Sequence, residues 1–171
     1  MSDAPIALSP QNSTVSSFPM RQRLLVVDDE PLILEGLARL LAARDYEVVA
    51  ANGGCEALIA IGKQQFDAIL LDLGMPDLDG NEVLRFVVDR SVDTPVIVVS
   101  GDSTIDAAIR ALRGGAADFV RKPYEPEELL RRIDNTLTRR RLEKENNHIL
   151  QRLQQSEKWH RFLVNSSPDF I

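Results

Sequence analysis

Sulfur and imidazole side chains are scarce in this chain, and their scarcity removes whole classes of chemistry. A single cysteine, Cys55, excludes a disulfide framework and any CxxC metal site. It reads as a small apolar filler in a helix. The two histidines, His148 and His160, both fall in the charged C-terminal stretch, away from any Cys or His ligand set. No apolar run approaches the ~18 residues of a membrane span, and no basic segment leads into an apolar core at the start. A soluble, cytoplasmic protein without membrane contact is the expectation. Lysine is rare as well: residues 1–125 hold nine arginines but only Lys63 and Lys122.

Carboxylates, by contrast, are plentiful and unevenly spread. The net charge is -6, with 11 bases and 19 acids in residues 1–125 but 9 bases and 7 acids in residues 126–171. An acidic globular part argues against direct nucleic-acid binding. The triplet Arg139-Arg140-Arg141 is too short to change that and reads as a solvated helix face. Residues 1–21, rich in Ser, Pro, Gln, Asn and Thr without periodicity, read as a disordered tail. The remainder suffices for one domain and an appendage.

Within that domain, short apolar runs stop abruptly at polar residues. Ala68 to Leu71 reads as a strand buried on both faces, ending in Asp72 and then a turn-rich loop, Gly74-Met75-Pro76-Asp77-Leu78-Asp79-Gly80. Leu24 to Val27 ends in Asp28-Asp29-Glu30, with Pro31 suited to the first turn of a helix that carries Leu32, Ile33, Leu37, Leu40 and Leu41. Tyr46 to Ala50 is the second strand, followed by a helix from Gly53-Gly54 with Ala57, Leu58 and Ile61 on its buried side. A third helix spans about Gly80 to Asp89 with Val83, Leu84 and Val87 inward. Pro95 to Val99 is a fourth strand ending in Ser100-Gly101. Ser103 or Thr104 can cap the next helix, whose apolar residues are Ile105, Ala108, Ile109 and Leu112. Asp118 to Arg121 is the fifth strand, ending in Lys122-Pro123, and a last helix begins near Pro126.

Strands alternating with helices predict an α/β fold: a doubly wound, five-stranded parallel sheet. Order 2-1-3-4-5 would put the first and third strands side by side at the switch point, bringing Asp28, Asp29 and Asp72 together. Three converging carboxylates repel unless some are protonated or a cation sits among them. Hard oxygen ligands favour Mg²⁺, which takes one or two carboxylates and leaves positions for a phosphate oxygen. Ser100 offers a hydroxyl after the fourth strand and Lys122 an ammonium after the fifth. Each has an ordinary explanation alone, a helix cap and an exposed strand-end cation. Together they are the parts a phosphoryl group needs.

The same residues carry a resemblance. Val26-Val27-Asp28-Asp29-Glu30, Leu71 to Gly80, Val98-Val99-Ser100-Gly101 and Ala117 to Tyr124 resemble the receiver domain of two-component response regulators, a flavodoxin-like fold, over about residues 22–138. The resemblance implies that Asp72 accepts a phosphoryl group from a histidine kinase or phosphotransfer protein. It implies Mg²⁺ (or Mn²⁺) held by Asp29, Asp72 and the Gly74 carbonyl, with Asp28 acting through water. Lys122 and Ser100 would bind phosphoryl oxygens, and the Lys122–Pro123 bond would be cis. Ser100 and Phe119 would form the switch, the aromatic moving into space the hydroxyl vacates. Gly74 and Gly101 stand where many relatives have a polar residue and Ala, and both leave the pocket open.

The last helix has two stripes. Leu130, Ile133 and Leu137 belong to the domain. Beyond them Leu142, Asn146, Ile149, Leu153, Ser156, His160 and Leu163 follow the alternating four-three spacing of a coiled coil, with Asn146 at a register-setting position. An extended C-terminal coiled-coil helix and a homodimer are expected, with residues 139–160 as linker. Residues 161–171, ending Asn165-Ser166-Ser167-Pro168-Asp169-Phe170-Ile171, resemble the start of a PAS sensor domain, as if the chain were cut from a longer one. The output beyond it, by analogy with receiver–PAS architectures, would be a cyclic-di-nucleotide enzyme or a histidine kinase. The chain itself would be a regulatory phosphoacceptor and not an enzyme. Two rival readings are a haloacid-dehalogenase-like phosphatase using Asp72, which lacks the Asp-x-Asp such enzymes carry, and an interaction domain that is never phosphorylated.

Overall fold

The computed structural model describes residues 21–90, 92–102 and 104–165. Five strands, β1 (Arg23–Val27), β2 (Glu47–Ala51), β3 (Ala68–Leu71), β4 (Val96–Ser100) and β5 (Asp118–Arg121), alternate with five helices. The helices are α1 (Pro31–Ala42), α2 (Gly54–Lys63), α3 (Gly80–Asp89), α4 (Ile105–Arg113) and α5 (Pro126–Asn165). All strand pairs are parallel and the order is β2-β1-β3-β4-β5, the doubly wound arrangement expected.

Successive side chains of a strand point to opposite faces, so each buried run feeds two cores. Leu25, Val27, Ile69, Leu71, Val96 and Val98 pack with Ala57, Val83, Leu84, Val87 and Ala111, which puts α2, α3 and α4 on one face. Leu24, Val26, Leu70, Ile97 and Val99 pack with Leu34, Leu37, Leu41, Leu129 and Ile133, which puts α1 and α5 on the other. With both faces covered, β1, β3 and β4 need the near-continuous apolar runs seen in the sequence.

Not every large apolar residue of the helices is buried. On α4, Ala107 and Ala111 turn inward while Ile105, Ile109 and Leu112 are exposed. The small residues let the helix lie close to the sheet, and the Thr104 side chain caps it by accepting from the Ala107 N–H at 3.2 Å. On α1, Leu32 is 82% exposed and Leu34 takes the inward place. α5 runs unbroken for 40 residues, about 60 Å at helical rise. Its buried residues end at Leu137. Beyond that point Arg139 donates to the Ala117 carbonyl at 3.0 Å, and Arg140 and Lys144 pair with Asp93. Residues 1–20 of the expected tail, Ser103, and Ser166–Ile171 of the PAS-like stretch lie outside the described residues; 161–165 continue the helix.

Candidate functional site

Register builds the site. β1 and β3 run side by side with Val27 opposite Leu71, so the next residue of each chain segment, Asp28 and Asp72, emerges beside the other. The Asp72 N–H donates to the Val27 carbonyl at 3.0 Å, extending the ladder by one step. On the other side β4 and β5 pair through Ser100 and Arg121, and the Lys122 N–H donates to the Ser100 carbonyl at 2.8 Å. Four strand ends therefore deliver their polar residues to one edge.

There, oxygens of Asp28, Asp29 and Asp72 lie within 4.8 Å of one another. Asp28 is 2% exposed and Asp72 8%, while Asp29 is half-buried. The Lys122 ammonium reaches in, 2.7 Å from Asp28 Oδ2 and 3.5 Å from Asp72 Oδ2. Burial pulls the Lys122 pKa down, but the hydrogen bond to Asp28 and the charges of Asp72 and Asp28 outweigh it, and the ammonium titrates above its ordinary value. Asp28 Oδ1 also accepts from the Glu30 N–H at 2.9 Å, which fixes its rotamer. One cation against three crowded carboxylates leaves negative charge, and every available donor is a hard oxygen. That set fits Mg²⁺ or Mn²⁺ and suits zinc poorly.

A cleft of about 430 Å³ opens over the carboxylates, with Asp72, Gly74, Ser100, Gly101 and Lys122 among its walls. A Cβ at residue 74 would stand 3.9 Å from Asp72 Oδ2, and one at residue 101 would meet nothing within 4 Å, so both glycines keep the approach wide. Ser100 is 4% exposed. Its Oγ accepts from the Asp102 N–H at 3.2 Å, which leaves its own hydrogen to donate into the cleft. Phe119 is half-buried and packs on the same sheet face as Val96 and Val98. The Lys122–Pro123 peptide is cis. Leu142, Asn146, Ile149 and Leu153 are all exposed, on the part of α5 beyond the domain. A larger hollow of about 820 Å³ lies at the other end of the strands, between residues such as Arg23, Asp67 and Lys144. Its walls mix both signs and gather no carboxylate cluster.

Asp77 is a site residue that reading the sequence did not single out. Its carboxylate accepts from the Gly54 N–H at 3.1 Å and the Cys55 N–H at 2.9 Å, capping α2 across 22–23 residues of sequence. This ties the loop after Asp72 to a neighbouring helix. Gly80 closes the same loop: a Cβ there would fall 2.2 Å from the Asp72 carbonyl oxygen and 2.6 Å from Leu73 Cα, so no other residue fits without moving Asp72. The signal for Asp77 was absent because a cap from a distant loop has no local spacing.

A parallel, doubly wound sheet with an acidic pocket at its switch point defines the class. Within it, a family model described as response regulator receiver domain matches residues 24–134, and the chain belongs to that family. The regulatory protein AtoC of Escherichia coli (strain K12) is 34% identical over 144 residues, covering 84% of this chain and 31% of that protein. The response regulator MprA of Mycobacterium ulcerans (strain Agy99) is 40% identical over 124 residues, covering 72% of this chain and 53% of that one. The chain thus spans from just under a third to just over half of these relatives' length. Among solved structures, a CheY-like receiver domain protein from Methanospirillum hungatei JF-1 superposes with a TM-score of 0.69 at 30% identity, over 72% of this chain and 98% of that chain. NtrX from Brucella abortus gives 0.72 at 30% identity, over 76% of this chain and 30% of that one. Among the described residues no helix is long and apolar enough to cross a membrane.

Proposed function

We propose that this receiver accepts a phosphoryl group on Asp72, from a histidine kinase or phosphotransfer protein, and signals through α5 to a further domain. The observation that carries the reading is the Lys122 ammonium set between Asp28 and Asp72 at the mouth of an open cleft. An Asp72 carboxylate oxygen attacks phosphorus in line. The new O–P bond forms as the bond to the donor's nitrogen or oxygen breaks, and the donor leaves with the electron pair. Lys122 meets the charge on the transferring oxygens, and the Ser100 hydroxyl donates to one of them. When bound, Mg²⁺ or Mn²⁺ would supply further charge neutralisation, held by Asp29, Asp72 and the Gly74 carbonyl, with Asp28 acting through water. Once the group is attached, the pull on Ser100 opens space on the sheet face it shares with Phe119, and the ring moves into it.

Residues 22–138 form the receiver in this reading and 139–160 a linker that pairs with a second chain. From residue 161 onward a PAS-like domain would begin, feeding an output such as a cyclic-di-nucleotide enzyme or histidine kinase. The receiver has no substrate turnover of its own. With Mg²⁺ and a small acyl phosphate, the chain is expected to form a base-labile phosphoryl adduct that Asp72→Asn and chelation each abolish. Steady release of phosphate from phosphate esters would replace this reading with a phosphatase. Absence of any adduct would leave only an interaction domain.

A further inference from the structure

The cleft over the carboxylates repels an anionic donor unless something at its rim offsets the acids. Among the described residues that line it, Glu30, Asp72, Asp79 and Asp102 carry negative charge, and Lys122 and Arg110 carry positive charge. Lys122 is committed to the floor: its side chain is 19% exposed, and its ammonium lies 2.7 Å from Asp28 and 3.5 Å from Asp72. Arg110, in the last turn of α4, is held far more loosely. Its side chain is 68% exposed, and the carboxylate it pairs with, Asp102 Oδ2, stands 4.0 Å away, beyond hydrogen-bond range. Asp102 is not free to close that gap. Its Oδ1 accepts from the Thr104 N–H at 3.0 Å and the Thr104 hydroxyl at 2.7 Å, and its own N–H donates to Ser100 Oγ at 3.2 Å. The pinned carboxylate keeps the guanidinium at the rim by charge and leaves its N–H donors available.

We infer that Arg110 captures the phosphoryl donor: its guanidinium binds the dianion of a small acyl phosphate at the rim, before Lys122 and Asp72 meet it at the floor. The inference rests on the phosphoacceptor reading of Asp72. A guanidinium offers a planar fork of donors that matches two oxygens of a phosphoryl group, and it stays charged at every working pH. A donor arriving at the rim replaces the loose pairing with Asp102 by charge-assisted hydrogen bonds. Transfer then follows the same course. An Asp72 oxygen forms the new O–P bond as the P–O bond to the acyl group breaks, and the acyl carboxylate leaves with the electron pair. The phosphoryl oxygens that Arg110 holds are not exchanged and stay anionic throughout. Its contact is therefore about as strong before transfer as during it, and acts on capture and not on the chemical step. What the guanidinium recognises is charge, so dianionic acyl phosphates are favoured over phosphoramidate, whose protonated nitrogen cancels part of the charge near neutral pH.

The test measures the second-order rate of adduct formation on Asp72 in the full chain with Mg²⁺, using acetyl phosphate and phosphoramidate as donors. Arg110→Gln should slow the reaction with acetyl phosphate about 3- to 10-fold at low salt. Arg110→Glu should slow it further, and Arg110→Lys should keep most of the parent rate. With phosphoramidate the loss in Arg110→Gln should be smaller, and with either donor the gap from the parent should narrow as salt is raised. Mg²⁺ affinity of the unphosphorylated chain, read by calorimetry, should match the parent in every variant. A role confined to the end of α4, where a cation meets the helix dipole, would lower the melting temperature and slow both donors alike at every salt concentration. That pattern overturns the inference, as does a rate loss that follows weakened Mg²⁺ binding. Equal rates for the parent and Arg110→Glu remove donor capture alone and leave Asp72 as the acceptor. No adduct on the parent with either donor removes the phosphoacceptor reading, and this inference with it.

Discussion

Asp77 never touches the reacting atoms, yet it holds the loop that carries Gly74. Two backbone N–H donors of Cys55 and Gly54, at the positive end of α2, keep its carboxyl at about 2. The unfolded chain offers no such donors, so its value there is near ~3.9. A folded carboxyl depressed in this way adds stability above the unfolded value, and that stability is lost as pH falls through the folded one. The melting temperature should therefore drop between about pH 4 and 2. Asp77→Asn should melt lower than the parent at neutral pH, and the gap should close over the same window. A gap that is constant from pH 6 to pH 2 would show that the cap contributes through shape and not charge.

At the scale of elements, α4 separates burial from hydrophobicity. Its large residues, Ile105 at 78%, Leu112 at 48% and Ile109 at 40% exposure, face outward, while Ala107 and Ala111 are within 4% of complete burial. Ala111→Leu is expected to destabilise by about 1–3 kcal/mol through overpacking, and Ile105→Ala to change stability by less than about 0.5 kcal/mol. Urea unfolding of both variants checks this, and the reverse ranking would place the apolar stripe inward. The strands were legible because a strand buried on both faces must be apolar throughout, and the acids at their ends stood out against such runs. Asp28, Asp72, Ser100 and Lys122 could be found for that reason. The inward face of α4 could not, since two alanines carry almost no periodic signal beside three larger neighbours. Asp77 and the Asp93 pairs with Arg140 and Lys144 were hidden differently. They join segments far apart in sequence, and only the folded sheet brings them together.

The whole molecule is a receiver at one end of a helix about 60 Å long, and the two parts are held by different forces. Leu129, Leu130, Ile133 and Leu137 bind the first turns of α5 into the core, and Tyr46 donates to Asp134 at 2.5 Å beside them. Among the described residues beyond that point, Arg139, Arg140 and Lys144 reach back to the domain, through surface contacts worth about 0–1 kcal/mol each and screened by salt. A chain ending at Thr138 should therefore still unfold in one cooperative step. It should be less stable than the full chain by no more than about 3 kcal/mol at low salt, with the difference shrinking as salt is raised. It should accept phosphate on Asp72 as before but scatter light as a monomer at concentrations where the full chain pairs. Equal masses for the two chains would move the pairing surface off α5 and onto the domain. A large, salt-independent loss of stability would instead mean that the distal helix packs on the sheet more intimately than its exposed leucines show.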